Sequence, residues 1–171
     1  MNTATRRLPL LVAGITAALA LSGCSAIGNL LPQAGPERDS ETQELTTEGT
    51  LDVFQIAVGD CMKETDDSEV SDVPAVPCSE PHDLEAYHAY TMPAGDYPGE
   101  EAIDAEATAA CSEALSEFVG APVDNSEIDF TTLYPTEAGW TTADDREVVC
   151  LAVDLAAEPG TTVGSLRGAG R

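Results

Sequence analysis

Glu100–Val119 reads EEAIDAEATAACSEALSEFV, and its apolar residues return at steps of three and four. Ile103, Ala107, Cys111, Ala114, Leu115 and Phe118 therefore share one side of a helix with 3.6 residues per turn, which predicts an amphipathic helix over this span. Glu100, Glu101 and Asp104 occupy its first turns, where negative charge suits the positive end of the helix dipole. Gly120 followed by Pro122 is a stop signal.

Strands are expected on both sides of this helix. Asp52–Val58 alternates Phe54, Ile56 and Val58 against Val53, Gln55 and Ala57, a half-buried pattern, and Gly59-Asp60 ends it. Met62–Val73 is acidic and polar and reads as an exposed loop. Leu84–Met92 places Leu84, Ala86, His88, Tyr90 and Met92 on one face before Pro93–Gly99 breaks it. Downstream, Ile128–Leu133 is a further strand candidate, and Glu147–Asp154 (EVVCLAVD) is apolar on both faces, as a central strand is. The expected fold is α+β, with one helix packed on a small, largely antiparallel sheet of about four strands.

The cysteines bear on how that fold is held. There are five, an odd number that needs explaining in an exported chain. Cys24 is explained by its context. Met1–Arg7 is a short basic stretch, Leu8–Leu21 an uncharged apolar run too short to span a bilayer at ~20 residues, and Leu21-Ser22-Gly23-Cys24 follows. That order reads as a signal peptide over 1–23 ending in a bacterial lipobox, with Cys24 carrying lipid (palmitate) on its sulfur and amine. Cys61, Cys78, Cys111 and Cys150 remain, an even set expected to form two disulfides in an oxidising compartment. Cys111 faces inward from the helix, Cys150 lies in the central strand, and Cys61 and Cys78 flank the polar loop. Pairing 61–78 with 111–150 is favoured, although spacing alone leaves three connectivities open.

Charge separates the segments further. The 171 residues hold 7 Lys+Arg against 31 Asp+Glu, a net charge of −24, and no acid precedes Glu37. So acidic a chain is not expected to bind nucleic acid or a polyanionic surface. Residues 24–50 are rich in Glu, Thr, Pro and Gly and are expected to be a flexible tether, reaching roughly 25–30 Å. The aromatic residues lie between Phe54 and Trp140, which sets the expected domain at 51–154. The Gly-, Thr- and Ala-rich 155–171 is expected to be a partly disordered tail.

One constellation is distinctive: Val58-Gly59-Asp60-Cys61, then Val76-Pro77-Cys78-Ser79-Glu80-Pro81-His82-Asp83-Leu84-Glu85, then Cys111, Trp140, Asp145-Arg146 and Cys150. With Ser165-Leu166-Arg167-Gly168 near the end, it resembles the septum-formation domain family, small extracytoplasmic modules of actinobacterial-type lipoproteins, over roughly Val53–Gly168. The resemblance implies a cell-envelope accessory linked to division-septum formation. It supplies no catalytic residue or ligand, and a family label is an associational warrant.

Candidate site residues follow from that constellation. His82, rigidly placed after Pro81, with Asp83 and Glu85 or His88, offers a ligand or acid/base set. The competing reading makes Pro81 the turn former and lets His82 and Asp83 cap backbone groups at a strand entrance. Only two histidines exist and zinc needs three or four convergent ligands, so no metal is expected. The acidic run Glu64–Asp72 lacks the spaced pattern and glycine of a calcium loop. Trp140 is either a surface aromatic for binding or core. No nucleophile elbow, metalloprotease helix, phosphate loop or dinucleotide fingerprint occurs, so neither catalytic residue nor cofactor is expected.

These readings together predict a lipid-anchored, non-enzymatic binding or scaffold domain on the extracytoplasmic face of the cell membrane. Its expected partners are the membrane, through lipid on Cys24, and an envelope or division protein. The alternatives are a sensor or solute-binding lipoprotein with a pocket between helix and sheet near Tyr87, Tyr90 and Trp140, and, third, a His82-centred metal-dependent enzyme.

Overall fold

The computed structural model describes residues 35–65, 70–123 and 126–171. The expected leader, Cys24 and the start of the tether lie outside the described residues. Six strands form one sheet: β1 (Gly49–Asp52), β2 (Cys61–Met62), β3 (Asp72–Val76), β4 (Leu84–Thr91), β5 (Ile128–Leu133) and β6 (Glu147–Asp154). Their order is β1-β3-β2-β4-β6-β5, and every pairing is antiparallel. Helix α1 (Glu100–Val119) crosses one face, and the short α2 (Glu137–Thr142) precedes β6. Among the described residues no helix is long and apolar enough to cross a membrane.

Helix α1 has the bounds its periodicity predicts. Ile103, Ala107, Cys111, Leu115 and Phe118 are buried, against Tyr87, Val148, Cys150 and Ala152 of the sheet. Gly120 takes φ 74° and returns its N–H to Ser116, ending the helix in a conformation glycine adopts without steric cost. The Cys111–Cys150 disulfide joins the middle of α1 to the middle of β6, and Cys61–Cys78 closes the loop around β2 and β3. Both pairings are the favoured ones.

The sheet differs from expectation in four places. It has six strands, not about four. Asp52–Val58 is not one strand: β1 ends at Asp52, whose carboxylate accepts the Phe54 N–H at 2.9 Å and starts a 3-10 turn over Val53–Gln55. The expected alternation breaks there, leaving Phe54 and Val58 60% and 49% exposed while Ile56 is buried. Met62–Val73 is not all loop, because Met62 is fully buried in β2 and Val73 belongs to β3. In β4 a bulge between Ala86 and His88 shifts the alternation, so Tyr87 joins the helix-side core while Leu84, Ala86 and Ala89 pack on the other face.

The compact unit runs from Gln33 to Arg171, wider than the expected 51–154. Arg38 and Leu45 pair across a small turn, and Leu45 packs with Leu51, Ile56, Met62 and Leu151 on the face away from α1. At the other end, residues 160–171 form a strap. Gly164 donates to the Cys78 carbonyl at 2.7 Å, and Gly168 and Gly170 donate to Phe118 and Val119 at 2.8 Å each. Burying Leu166 holds this Gly-rich segment to the end of α1, which its composition alone did not suggest.

Candidate functional site

The loop leading into β4 brings His82, Asp83 and Glu85 against the C-terminal strap. His82 is fully buried; its Nδ1 lies 2.9 Å from the Glu80 carbonyl, and its backbone N–H donates to Thr162 at 3.0 Å. Asp83 accepts the Gly160 N–H with one oxygen and the Glu64 N–H, at 3.1 Å, with the other. Glu85, 2% exposed, accepts the Ser165 hydroxyl and the Leu166 N–H, each at 2.6 Å. The His82 N–H and the Asp83 and Glu85 carboxylates thus hold a segment 77 to 81 residues downstream. Asp83 caps backbone N–H groups of two segments.

His82 Nε2 is buried without a hydrogen-bond partner among the described residues. It does not converge with His88, which pairs across from Cys150 and stacks on Tyr90 at 6.0 Å between ring centroids. The three-donor set that does converge is Cys61, Cys78 and Glu85, whose ligand atoms lie within 4.8 Å of one another. Both sulfurs are spent in the Cys61–Cys78 bond, so neither is the thiolate a metal requires.

Asp60 of the Val58–Cys61 motif is anchored in a related way. Its carboxylate is 1% exposed and is held bidentately by Arg38 at 2.6 and 2.7 Å, with the Ala57 N–H at 2.8 Å. The hydrogen bond to Asp60 raises the Arg38 guanidinium above its ordinary value. Nothing local in sequence marks Arg38, 22 residues upstream, as this partner.

Trp140 is core. It is 4% exposed, donates its indole N–H to the Gly95 carbonyl at 2.9 Å, and meets the Tyr97 ring edge-on at 5.9 Å. The Arg146 guanidinium lies 3.8 Å over its ring and donates to the Trp140 carbonyl at 2.8 Å. Tyr87 packs on Phe118 at 5.3 Å and donates its hydroxyl to the Cys111 carbonyl at 2.7 Å; burial pushes that hydroxyl's pKa up. Tyr87 and Trp140, expected to line a pocket between helix and sheet, are both buried in the helix-side core.

Open space lies on the opposite face. A cavity of about 450 Å³ has Met62, Leu84, Leu133, Leu151 and Val153 among its lining, with Lys63, Asp83 and Glu158 also bordering it. A second, of about 660 Å³, shares Val70 and Leu133 with the first and continues to the start of α1. Val149, Tyr97, Tyr134 and Phe54 give it apolar and aromatic walls. Asp52, Glu100, Glu137, Asp145 and Glu147 border it, and no lysine or arginine does. The Glu147 carboxyl is pushed up, by burial first and by Asp145 second. Sequence reasoning missed this groove, whose residues come from the β1 end, the α1 and α2 starts and the β6 start.

A compact α+β module with one helix on a six-stranded antiparallel sheet and two disulfides is thus defined. The model of the septum-formation family matches residues 58–169, and the chain belongs to that family, which links it to septum formation. The match spans the Asp60 motif, the His82–Glu85 loop, both disulfides and the strap as far as Ala169. No curated protein and no solved structure matches the chain.

Proposed function

We propose that the chain is a lipid-anchored, extracytoplasmic binding or scaffold domain of the bacterial cell envelope, acting in septum formation without a catalytic centre. One observation carries this reading: the acids and imidazole of its distinctive motif are engaged by groups of its own chain, while the sheet face away from α1 is left concave. A rigid stapled domain with an open apolar-floored face suits holding a partner. Lipid on Cys24 would keep that face close to a membrane that a net charge of −24 otherwise repels. A tagged protein is expected at division septa and in pull-downs with envelope proteins; a diffuse membrane signal with no partner overturns the septal role. Cys24→Ala should release the protein from membranes, and retention would refute lipid anchoring.

A solute sensor is the second reading, favoured by the 450 Å³ cavity, which falls in the size range of small-molecule sites. A small-molecule screen that raises the melting temperature supports it, and a screen without shifts counts against it.

A further inference from the structure

We propose that the 660 Å³ groove beside Phe54 and the start of α1 binds a basic peptide segment of a partner protein, with Lys or Arg alternating with apolar side chains. This rests on the reading of the chain as a binding domain and names the surface and the partner's chemistry. The groove itself supplies the first argument. Its walls include Val149, Leu133 and two tyrosines, and Phe54, 60% exposed, carries that apolar wall out to the solvent at its border.

The occupant's charge follows from where the domain's cations are. Five basic residues lie among the described positions. Arg38 is bound to Asp60, Arg146 to Asp144 and Trp140, and Arg171 to Asp154 and Glu127. Arg167 lies over the Phe118 ring, and Lys63 borders the other cavity. None of them reaches the five groove carboxylates. A second copy of a chain with net charge −24 is repelled as a whole, and anionic polymers are repelled too. A partner bringing positive charge alone supplies what the groove lacks, and alternating apolar side chains match its floor. Tyr97 and Tyr134 also line it, and aromatic side chains are compatible with a cationic occupant.

The test uses the full chain in a non-ionic detergent and a labelled peptide alternating lysine and valine, with a glutamate–valine peptide as control. The lysine peptide should bind, weaken steeply with salt, and outcompete the glutamate peptide. Replacing Glu100, Glu137 and Glu147 together by glutamine should weaken binding about tenfold while the melting temperature holds, since three partly exposed pairs sum to roughly that factor. Phe54→Ser, at an exposed site that leaves the fold intact, should weaken it about threefold. Glu113→Gln, on the exposed side of α1 and bordering neither cavity, should leave it unchanged. Equal binding of both peptides, an unchanged triple variant, or calcium alone occupying the groove and excluding the peptide would overturn the proposal. If the triple variant still localises and crosslinks as wild type does, this inference fails while the binding reading stands. A diffuse, partnerless wild type would instead remove the broader reading.

Discussion

Two sets of carboxylates in this small domain have opposite surroundings. Asp60, Asp83, Glu85 and Asp154 each face donors from distant parts of the same chain: Arg38, Gly160, Ser165 with Leu166, and Arg171. Asp52, Glu100, Glu137, Asp145 and Glu147 border the larger groove and meet no basic side chain there. Asp52 and Asp145 each accept only a nearby backbone N–H, from Phe54 at 2.9 Å and Glu147 at 3.0 Å. The first set ties chain to chain, because a buried carboxylate is tolerated only when its oxygens are satisfied. The second set serves only its own turns and helix starts, ties no distant segments together, and is set where a partner could engage it. Residues of one chemical type thus divide by donor supply into fasteners and a binding rim.

The sharpest way to break this comparison is at Glu85. Glu85→Ala should destabilise by about 3 kcal/mol, since it strands the Leu166 N–H and the Ser165 hydroxyl in a buried site. Chemical denaturation measures it, and a loss under about 1 kcal/mol would show that the strap is held by Leu166 packing instead. Arg38→Ala comes next, at about 2 kcal/mol. It leaves Asp60 buried and uncompensated, but the pair is softened because the Arg38 side chain is 23% exposed. Retained stability there would mean that the Arg38–Asp60 pair does not fasten the segment before β1, which Leu45 packing then holds alone.

These fasteners also mark where sequence reading ran out. The helix was legible to the residue because Ile103, Ala107, Cys111 and Leu115 repeat at helical steps within one segment. The disulfide pairing was favoured in the sequence because Cys111 lies on the apolar face of the helix and Cys150 in a strand apolar on both faces. Strand β3 was hidden by Pro74, which lacks an N–H and yet lies between β1 and β2, its carbonyl receiving Lys63 at 2.9 Å. Strand β2 has two residues, too few to show alternation. His82, Asp83 and Glu85 stood out as a motif, but the groups they hold lie 77 to 81 residues away and carry no complementary pattern in a Gly- and Thr-rich tail. The groove was invisible for the same reason: its charges belong to four separated segments and converge only when the sheet forms.

Acid titration should separate the two sets with smaller effects. Hydrogen bonding to Arg171 holds the Asp154 carboxyl below its ordinary value. A carboxyl lowered in the folded state contributes stability above its unfolded pKa of about 4 and loses it as pH falls through the folded value. Arg171→Ala should remove that acid-limb slope, by less than about 1 kcal/mol because the Arg171 side chain is 40% exposed. An unchanged slope in thermal unfolding between neutral and acid pH would place Asp154 outside the fastener set.

The groove should respond least, and with the opposite sign. Burial and Asp145 raise the Glu147 carboxyl in the folded state. A raised carboxyl favours folding below its unfolded pKa, and that advantage fades as pH rises through the folded value, so ionised Glu147 is a small cost at neutral pH. Glu147→Gln should therefore be neutral or stabilising at neutral pH, by no more than about 0.5 kcal/mol, because the groove stays wet. At acid pH the variant and wild type should converge as the carboxyl takes up its proton. If instead Glu147→Gln destabilises at neutral pH as Glu85→Ala does, Glu147 is one more fastener and the rim loses one of its two half-buried acids. A gain at neutral pH that vanishes in acid would mean this carboxylate is kept at a cost to the fold, which is what a group reserved for a positively charged partner requires.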